Sequence, residues 1–386
     1  LKKYNSKELS LSMTHLRCTH CGAEYPASAL RWNCECGGLL DLIFQPSFDR
    51  AKIQLRPPTL WRYREALPVE EDGHIVTFGE GFTPLSTFKL GGVEALVKQD
   101  QLFPTGSYKD RGAAVLVSQA KALGIREVVE DSSGNAGCAI AAWCARAGIA
   151  CQIFVPASTS PAKTAQIEMY GAKLMLVPGS REDTARAVWA AAQGQYYASH
   201  SWNPFFFHGT KTWAFEVWEQ LGWRAPDTVI LPVGNGTLLL GAYIGFRELL
   251  EAGEIARLPR IIAVQAENAA PLARAFHAGL ETALAIEKQD TLAEGIAIGE
   301  PVRGAQILRA VRESGGTFLM VSEQEIAASL RDICRQGAYI EPTAAATTAA
   351  AARYLRDKPD SEQVVTVFTG HGLKSTEKML KMLAEP

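Results

Sequence analysis

From residue 95 to residue 368 the sequence alternates strand-like apolar runs with helix-length segments, and this alternation narrows the fold more than any other feature. Strand-like runs fall at 95–98, 127–131, 151–155, 174–177, 227–232, 261–265, 317–321 and 364–368; helical patterns fall at 113–123, 134–148, 162–170, 181–193, 239–250 and 344–354. A strand, a helix and a strand joined by short loops cannot form a hairpin. They return the chain in one direction and build open, mostly parallel sheets with helices on both faces. The class expected is α/β, and 386 residues with 47% hydrophobic side chains suffice for two or three domains. In such sheets ligands gather beyond the carboxyl ends of strands, so the loops there are where chemistry is expected.

Other classes are set aside by charge and composition. A net charge of −2 argues against nucleic acid or an acidic membrane as the main partner. No apolar run approaches the roughly 20 residues that span a bilayer, and no signal-peptide apolar segment follows Leu1, Lys2 and Lys3. Of eight cysteines, Cys138, Cys144, Cys151 and Cys334 are scattered, which is no disulfide framework and points to a reducing, cytoplasmic setting.

Cys18, Cys21, Cys34 and Cys36 form two knuckles, C-x2-C and C-x-C, each followed by glycine. Four thiolates from two turns suit a tetrahedral zinc ion. The alternative is a metal-free ribbon packed on Tyr25, Trp32 and Leu39; His15 and His20 read as bystanders. Residues 44–67 read as a connector in which Trp61 begins a helix, and 79–85 as a glycine-hinged turn without chemistry.

Three loops carry candidate chemistry. Residues 103–112 turn at Pro104 and Gly106, with Ser107 as N-cap and Lys109 in the first turn of the next helix. The helix dipole disfavours a cation there and so favours a neutral amine that attacks carbonyls; an ordinary surface pair with Asp110 is the alternative. Ser132, Ser133, Gly134, Asn135 and Ala136 lie at a strand's end and a helix's start, an anion site, with Gly134 and Gly137 admitting a ligand to the backbone. Gly234, Asn235, Gly236, Thr237 and Leu238 join another strand to a helix as a phosphate cradle, with neither a Walker ending nor a full dinucleotide fingerprint. Residues 293–299 are expected to face the same ligand.

The segment P-T-G-S-Y-K-D-R-G at 104–112 resembles the Schiff-base lysine motif of the threonine synthase family, pyridoxal-phosphate (PLP) enzymes of the tryptophan-synthase-β fold group. So do W-N-C-E-C-G-G-L-L at 32–40, G-E-G-F-T-P-L at 79–85, S-W-N-P-F-F-F-H-G-T-K-T at 201–212 and T-G-H-G-L-K at 369–374 resemble segments of that family. The resemblance implies a cysteine ribbon at 1–45, a large PLP-binding domain at 46–95 and 206–386, and a small α/β domain at 96–205. It implies PLP held as a Schiff base on Lys109, its ring hydroxyl on Asn135, its phosphate on 234–238 and its pyridine nitrogen on Thr369. A neutral hydroxyl there leaves the nitrogen free to lose its proton. The substrate carboxylate falls to 132–136. The implied reaction is O-phospho-L-homoserine plus water to L-threonine plus phosphate, in a homodimer with a structural zinc. The family's phosphate-binding arginine is matched here by Phe206, which cannot hydrogen-bond a dianion and leaves Lys211 as the nearby cation. An ammonia-lyase of the threonine/serine type, or a β-replacement enzyme on another amino acid, is the alternative reading.

Overall fold

The computed structural model describes residues 14–179, 181–358 and 361–384. Residues 1–13 of the expected ribbon segment lie outside the described residues. The strands, in chain order, are β1 (His15–Cys18), β2 (Glu24–Pro26), β3 (Leu40–Ile43), β4 (Leu85–Leu90), β5 (Val93–Lys98), β6 (Glu127–Glu130), β7 (Ala150–Pro156), β8 (Lys173–Val177), β9 (Tyr196–Tyr197), β10 (Thr228–Pro232), β11 (Arg260–Ala266), β12 (Thr317–Val321) and β13 (Val364–Val367). They form three sheets: β2-β1-β3, β12-β11-β10-β13-β5-β4, and β8-β7-β6-β9.

The two larger sheets are parallel throughout except for the β4–β5 hairpin. Strand β10 is buried at every position, as a central parallel strand covered on both faces must be. All eight expected strands recur within a residue or two, with 95–98 forming the last four residues of β5. The two-residue strand β9 went unread because Tyr196 and Tyr197 are too short a run to show a period. The expected domain edge at 96 falls inside β5, whose partners Leu85–Leu90 and Val364–Val367 both belong to the six-stranded sheet. The connector holds a helix, Arg50–Leu55, and a 3-10 stretch, Leu60–Ala66, that includes Trp61. Glu80, in the glycine-hinged turn, is a buried structural hub: it accepts hydrogen bonds from Trp61 Nε1 (3.0 Å), Thr77 Oγ1 (2.7 Å) and the Phe78 amide (2.7 Å).

The three-stranded sheet docks on the body. Arg303 donates from Nη1 to Asp41 Oδ1 (2.8 Å), from Nη2 to the carbonyls of Leu40 and Trp202 (both 2.9 Å), and from Nε to that of Ser201 (2.9 Å). Trp32 packs edge-on to Tyr197 and Trp202, with centroids 5.4 and 5.1 Å apart.

Helix Lys109–Ala122 is buried along nearly its whole length between helices Asn135–Ala147 and Pro204–Thr210. Glycine makes the second crossing possible. A Cβ at Gly209 would lie 2.1 Å from the Arg111 carbonyl oxygen, and one at Gly112 would lie 2.3 Å from the Phe206 ring. Gly209→Ala gains roughly 1 kcal/mol of helix propensity, but the clash is with backbone that cannot turn away. The net expectation is a loss of about 1–3 kcal/mol in urea unfolding, with Gly194→Ala, where the added carbon meets open space, near neutral.

Candidate active site

A cavity of about 1060 Å³ opens between the two larger sheets, lined by the segments that follow β5, β6, β10 and β13. Lys109, Ser132, Ser133, Gly134, Asn135, Ala136, Gly234, Asn235, Gly236, Thr237 and Thr369 all line it, as do residues 294–298 of the loop expected to face the ligand. Parallel strands running the same way bring these distant segments to one end of the fold. Leu238 is buried behind the cradle and does not line the cavity.

Lys109 is the first residue of its helix, and its Nζ donates to Thr237 Oγ1 at 2.7 Å. Thr237 in turn opens helix Thr237–Glu251, so the amine stands at the N-terminus that the glycine loop leads into. Tyr108 OH shares the same hydroxyl at 2.6 Å. The Tyr108 amide donates to the Thr369 carbonyl (3.0 Å), and Ser107 bridges to Gly370, which fixes Lys109 beside the end of β13.

Ser107 is therefore not the N-cap. Its hydroxyl is buried without a hydrogen-bond partner, and Tyr108 occupies the cap position. The turn is held by Asp110 instead, whose carboxylate accepts from the Thr105 amide (2.8 Å) and the Thr105 hydroxyl. Asp110 is thereby turned to Thr105, and the surface Lys109–Asp110 pair does not form. Arg111, the next residue, is fully buried and bonded to Asp100 and Glu216.

Gly137 has a different role from the one expected. A Cβ there would meet the Ser132 carbonyl at 1.8 Å, so the glycine lets the loop fold onto its own helix, and it does not line the cavity. Gly234 and Gly236 border the cavity; side chains there would strike Ile296 and Ile307, and Gly236 has φ +78. The cradle thus offers bare backbone. His371 accepts from the Leu373 amide at 3.2 Å, a helix-start role near the ligand.

Lys211 does not reach the cavity. It is fully buried, with Nζ 2.8 Å from Glu248 Oε1 and 3.0 Å from His208 Nδ1, and is absent from the lining. Helix Pro204–Thr210 turns it inward, a direction that spacing alone does not reveal. Phe206 is likewise core, filling the space that Gly112 leaves.

Three groups were missed by sequence reasoning. Glu341 accepts from Asn135 Nδ2 (3.0 Å) and Thr369 Oγ1 (2.8 Å); standing before Pro342, it carries no local signal beyond that of a helix start. His200 lines the cavity and is paired with buried Glu130 at 2.7 Å. Lys163, Lys288, Lys374 and Lys378 make part of the wall basic. Lys163 and Lys378 share Glu294 (3.1 and 3.3 Å), and Lys374 donates to Gln166 Oε1 (2.7 Å) and the Thr105 carbonyl (3.0 Å). Single lysines scattered over more than two hundred residues form no motif. In the ribbon, the sulfurs of Cys18, Cys21, Cys34 and Cys36 all lie within 4.8 Å of one another.

Residues 76–370 match the family described as pyridoxal-phosphate dependent enzyme, so the fold and site define a PLP-dependent enzyme. The threonine synthase of Methanosarcina acetivorans is 37% identical over 97% of this chain and 95% of its own length, and that of Methanocaldococcus jannaschii 36% over 96% and 95%. Among solved structures, a threonine deaminase from Solanum lycopersicum superposes with a TM-score of 0.68 at 21% identity, covering 89% of this chain and 91% of its own. The chain belongs to the threonine synthase family of PLP-dependent enzymes.

Burial pushes the Asp110 carboxyl up to about 7, against the hydrogen bonds from Thr105. Between the ordinary value of 3.8 and about 7, the folded chain holds a proton that the unfolded chain has lost. Stability therefore falls as pH rises through that window, by on the order of 1.4 kcal/mol per pH unit. Asp110→Asn, neutral throughout, is expected to remove this part of the slope when urea unfolding is compared at pH 4.5 and pH 7.5.

Proposed function

We propose that this protein converts O-phospho-L-homoserine and water to L-threonine and phosphate, with PLP on Lys109. The observation that carries the reading is the Lys109 amine, inside the cavity and 2.7 Å from the hydroxyl that opens the helix behind the glycine loop. The donor set suits the cofactor: backbone amides at 234–237 for its phosphate, Asn135 for its ring hydroxyl, Thr369 for its ring nitrogen, and the Lys109 amine for its aldehyde. When bound, PLP supplies the electron sink that stabilises a carbanion beside the substrate's amino group.

The chain's own groups do the rest. Ser132, Ser133, Gly134, Asn135 and Ala136 receive the substrate carboxylate. Lys109 moves the proton at the substrate's α-carbon, a task set by geometry and by its place within reach of the cofactor site. With Phe206 and Lys211 in the core, the cations left to meet the substrate phosphate are Lys163, Lys288, Lys374 and Lys378 on the cavity wall. Lys374 is well suited, since its two acceptors are neutral and a dianion outcompetes them.

The four-cysteine cluster fits a structural zinc: four thiolates leave no open position for catalysis. The homodimer expected from the family and the cytoplasmic setting expected from the cysteine usage belong to the same reading; all eight cysteines are free, in keeping with a reducing compartment. No helix among the described residues is long and apolar enough to cross a membrane.

Assay of the purified protein with O-phospho-L-homoserine is expected to release phosphate and threonine together, and Lys109→Ala is expected to abolish both and the visible absorbance of bound PLP. Ketobutyrate or pyruvate formed from threonine or serine, without turnover of the phosphate ester, would overturn the reading in favour of an ammonia-lyase. Lys374→Gln is expected to raise KM for the phosphate ester about tenfold or more, the loss of one charge-assisted bond of about 1.5–3 kcal/mol. Elemental analysis is expected to find equimolar zinc, lost in Cys34→Ser.

A further inference from the structure

Tyr108 lines the cavity next to the reactive lysine, and the reading above gives it no part. Its amide donates to the Thr369 carbonyl at 3.0 Å, and its own carbonyl accepts from the Arg111 amide at 3.1 Å. Backbone bonds on both sides therefore fix the point from which the side chain sets out. The ring is half-buried against the apolar core that contains Leu231, Leu238 and Leu239. Lys109 Nζ lies 4.9 Å from the ring centroid.

Packing accounts for the ring and not for its oxygen. A phenylalanine would fill the same space, yet the tyrosine hydroxyl reaches to 2.6 Å from Thr237 Oγ1. Thr237 is 2% exposed and is the first residue of helix Thr237–Glu251. The residue before it is Gly236, in the left-handed region at φ +78, so no side chain caps this helix. Its first amides need an acceptor from outside. The Lys109 amine bonds to the same threonine hydroxyl at 2.7 Å, so one amine and two hydroxyls meet at this helix start.

The amine has its task already. In the reading above it joins the aldehyde of PLP and cannot also serve the phosphate, and the wall lysines are assigned to the substrate. The two hydroxyls remain for the cofactor's phosphate. Their 2.6 Å separation is close to that between two oxygens of one phosphate tetrahedron. A phosphate dianion offers lone pairs and no hydrogen, so each hydroxyl facing it donates. We propose that the Tyr108 hydroxyl is a cofactor-binding group that, beside Thr237, donates to the phosphate of bound PLP. The inference rests on the reading that PLP occupies this cavity with its phosphate at 234–238. It gives consecutive residues two linked duties. The aldehyde and the phosphate arm are neighbours on the pyridine ring, and Tyr108 and Lys109 are neighbours at one helix start that receives them both.

Pyridoxal, which lacks only the phosphate, makes the test specific. Cofactor-stripped wild type and Tyr108→Phe are titrated with PLP and with pyridoxal, followed by visible absorbance. Tyr108→Phe is expected to raise Kd for PLP about tenfold or more, the loss of one hydrogen bond to a charged group. Its Kd for pyridoxal is expected to match that of the wild type. Equal weakening of both ligands would show that the hydroxyl acts through Lys109 or the fold, and would overturn the proposal. An unchanged Kd for PLP would overturn it as well. A crystal structure of the wild-type holoprotein supplies a measurement that needs no variant, should Tyr108→Phe not fold. The tyrosine oxygen within hydrogen-bond distance of a phosphate oxygen supports the assignment, and a tyrosine oxygen bonded to Thr237 alone refutes it. A wild type that binds neither PLP nor pyridoxal would instead mark failure of the functional reading on which this rests, and the proposal would fall with it.

Discussion

The fully buried ion network around Arg111 is what ties the reactive lysine to the rest of the molecule. Arg111 makes a forked pair with Asp100, just past β5, at 2.8 Å through both Nε and Nη2, and a second with Glu216 at 2.6 and 2.9 Å. Lys98 Nζ adds to Glu216 at 2.7 Å. Two cations meet two carboxylates with no exposure, so charge is balanced where solvent cannot balance it. Burial alone would keep Glu216 neutral, yet Arg111 and Lys98 hold it down at about 2. Such a cluster is weak evidence for stability, since apolar packing of equal volume often does as well. Its value here is geometric. Planar forks accept one arrangement, and that arrangement sets the azimuth of helix Lys109–Ala122 two residues from the amine.

The second constraint is how near two helix backbones can come. Gly112 and Gly209 remove the side chains from the crossing of helices Lys109–Ala122 and Pro204–Thr210, and Phe206 takes up the volume at Gly112. The same logic recurs at Gly241 and Gly245, where added carbons would strike Thr210 and the Lys211 carbonyl. Helix Thr237–Glu251 thus packs close to the 210–211 segment, with Thr210 Oγ1 donating to the Thr237 carbonyl at 2.8 Å. Three helices are locked at short range, and two of them begin with Lys109 and Thr237. The 2.7 Å contact between those residues is the product of close packing behind them.

Much of this was legible in the sequence because it is local. Strand and helix periods gave parallel sheets, and parallel strands send their following loops to one end, so the cavity's main segments could be named. What was illegible depended on direction. Lys211 and Phe206 sit in a segment whose resemblance placed them near substrate, but helix Pro204–Thr210 is buried on every side, and both side chains point into the core. Ser107 looked like a cap because hydroxyls commonly cap; the turn is held by Thr105 and Asp110, which flank it. Glu341 was hidden for the opposite reason. Its neighbours Asn135 and Thr369 were both read as ligand groups, but no pattern in a linear sequence links residues more than two hundred positions apart through one carboxylate.

The corrected positions change how the cavity recognises charge. A single arginine fork gives a phosphate a fixed geometry; a wall of lysines gives attraction with little direction. Here the wall is assembled from separate elements: Lys163 on helix Pro161–Met169, Lys288 in the loop before Thr291, and Lys374 and Lys378 after β13. Glu294, in the loop facing the cavity, binds Lys163 and Lys378 together, and Gln166 of the same short helix holds Lys374. An anion entering this wall competes with Glu294 for two lysines and with neutral oxygens for a third. On the proposed reading, its arrival would bear on contacts that join helix Pro161–Met169 to the C-terminal segment, and so on the fit of the two sides of the cavity. A fork anchored in the core would leave those sides indifferent to the ligand.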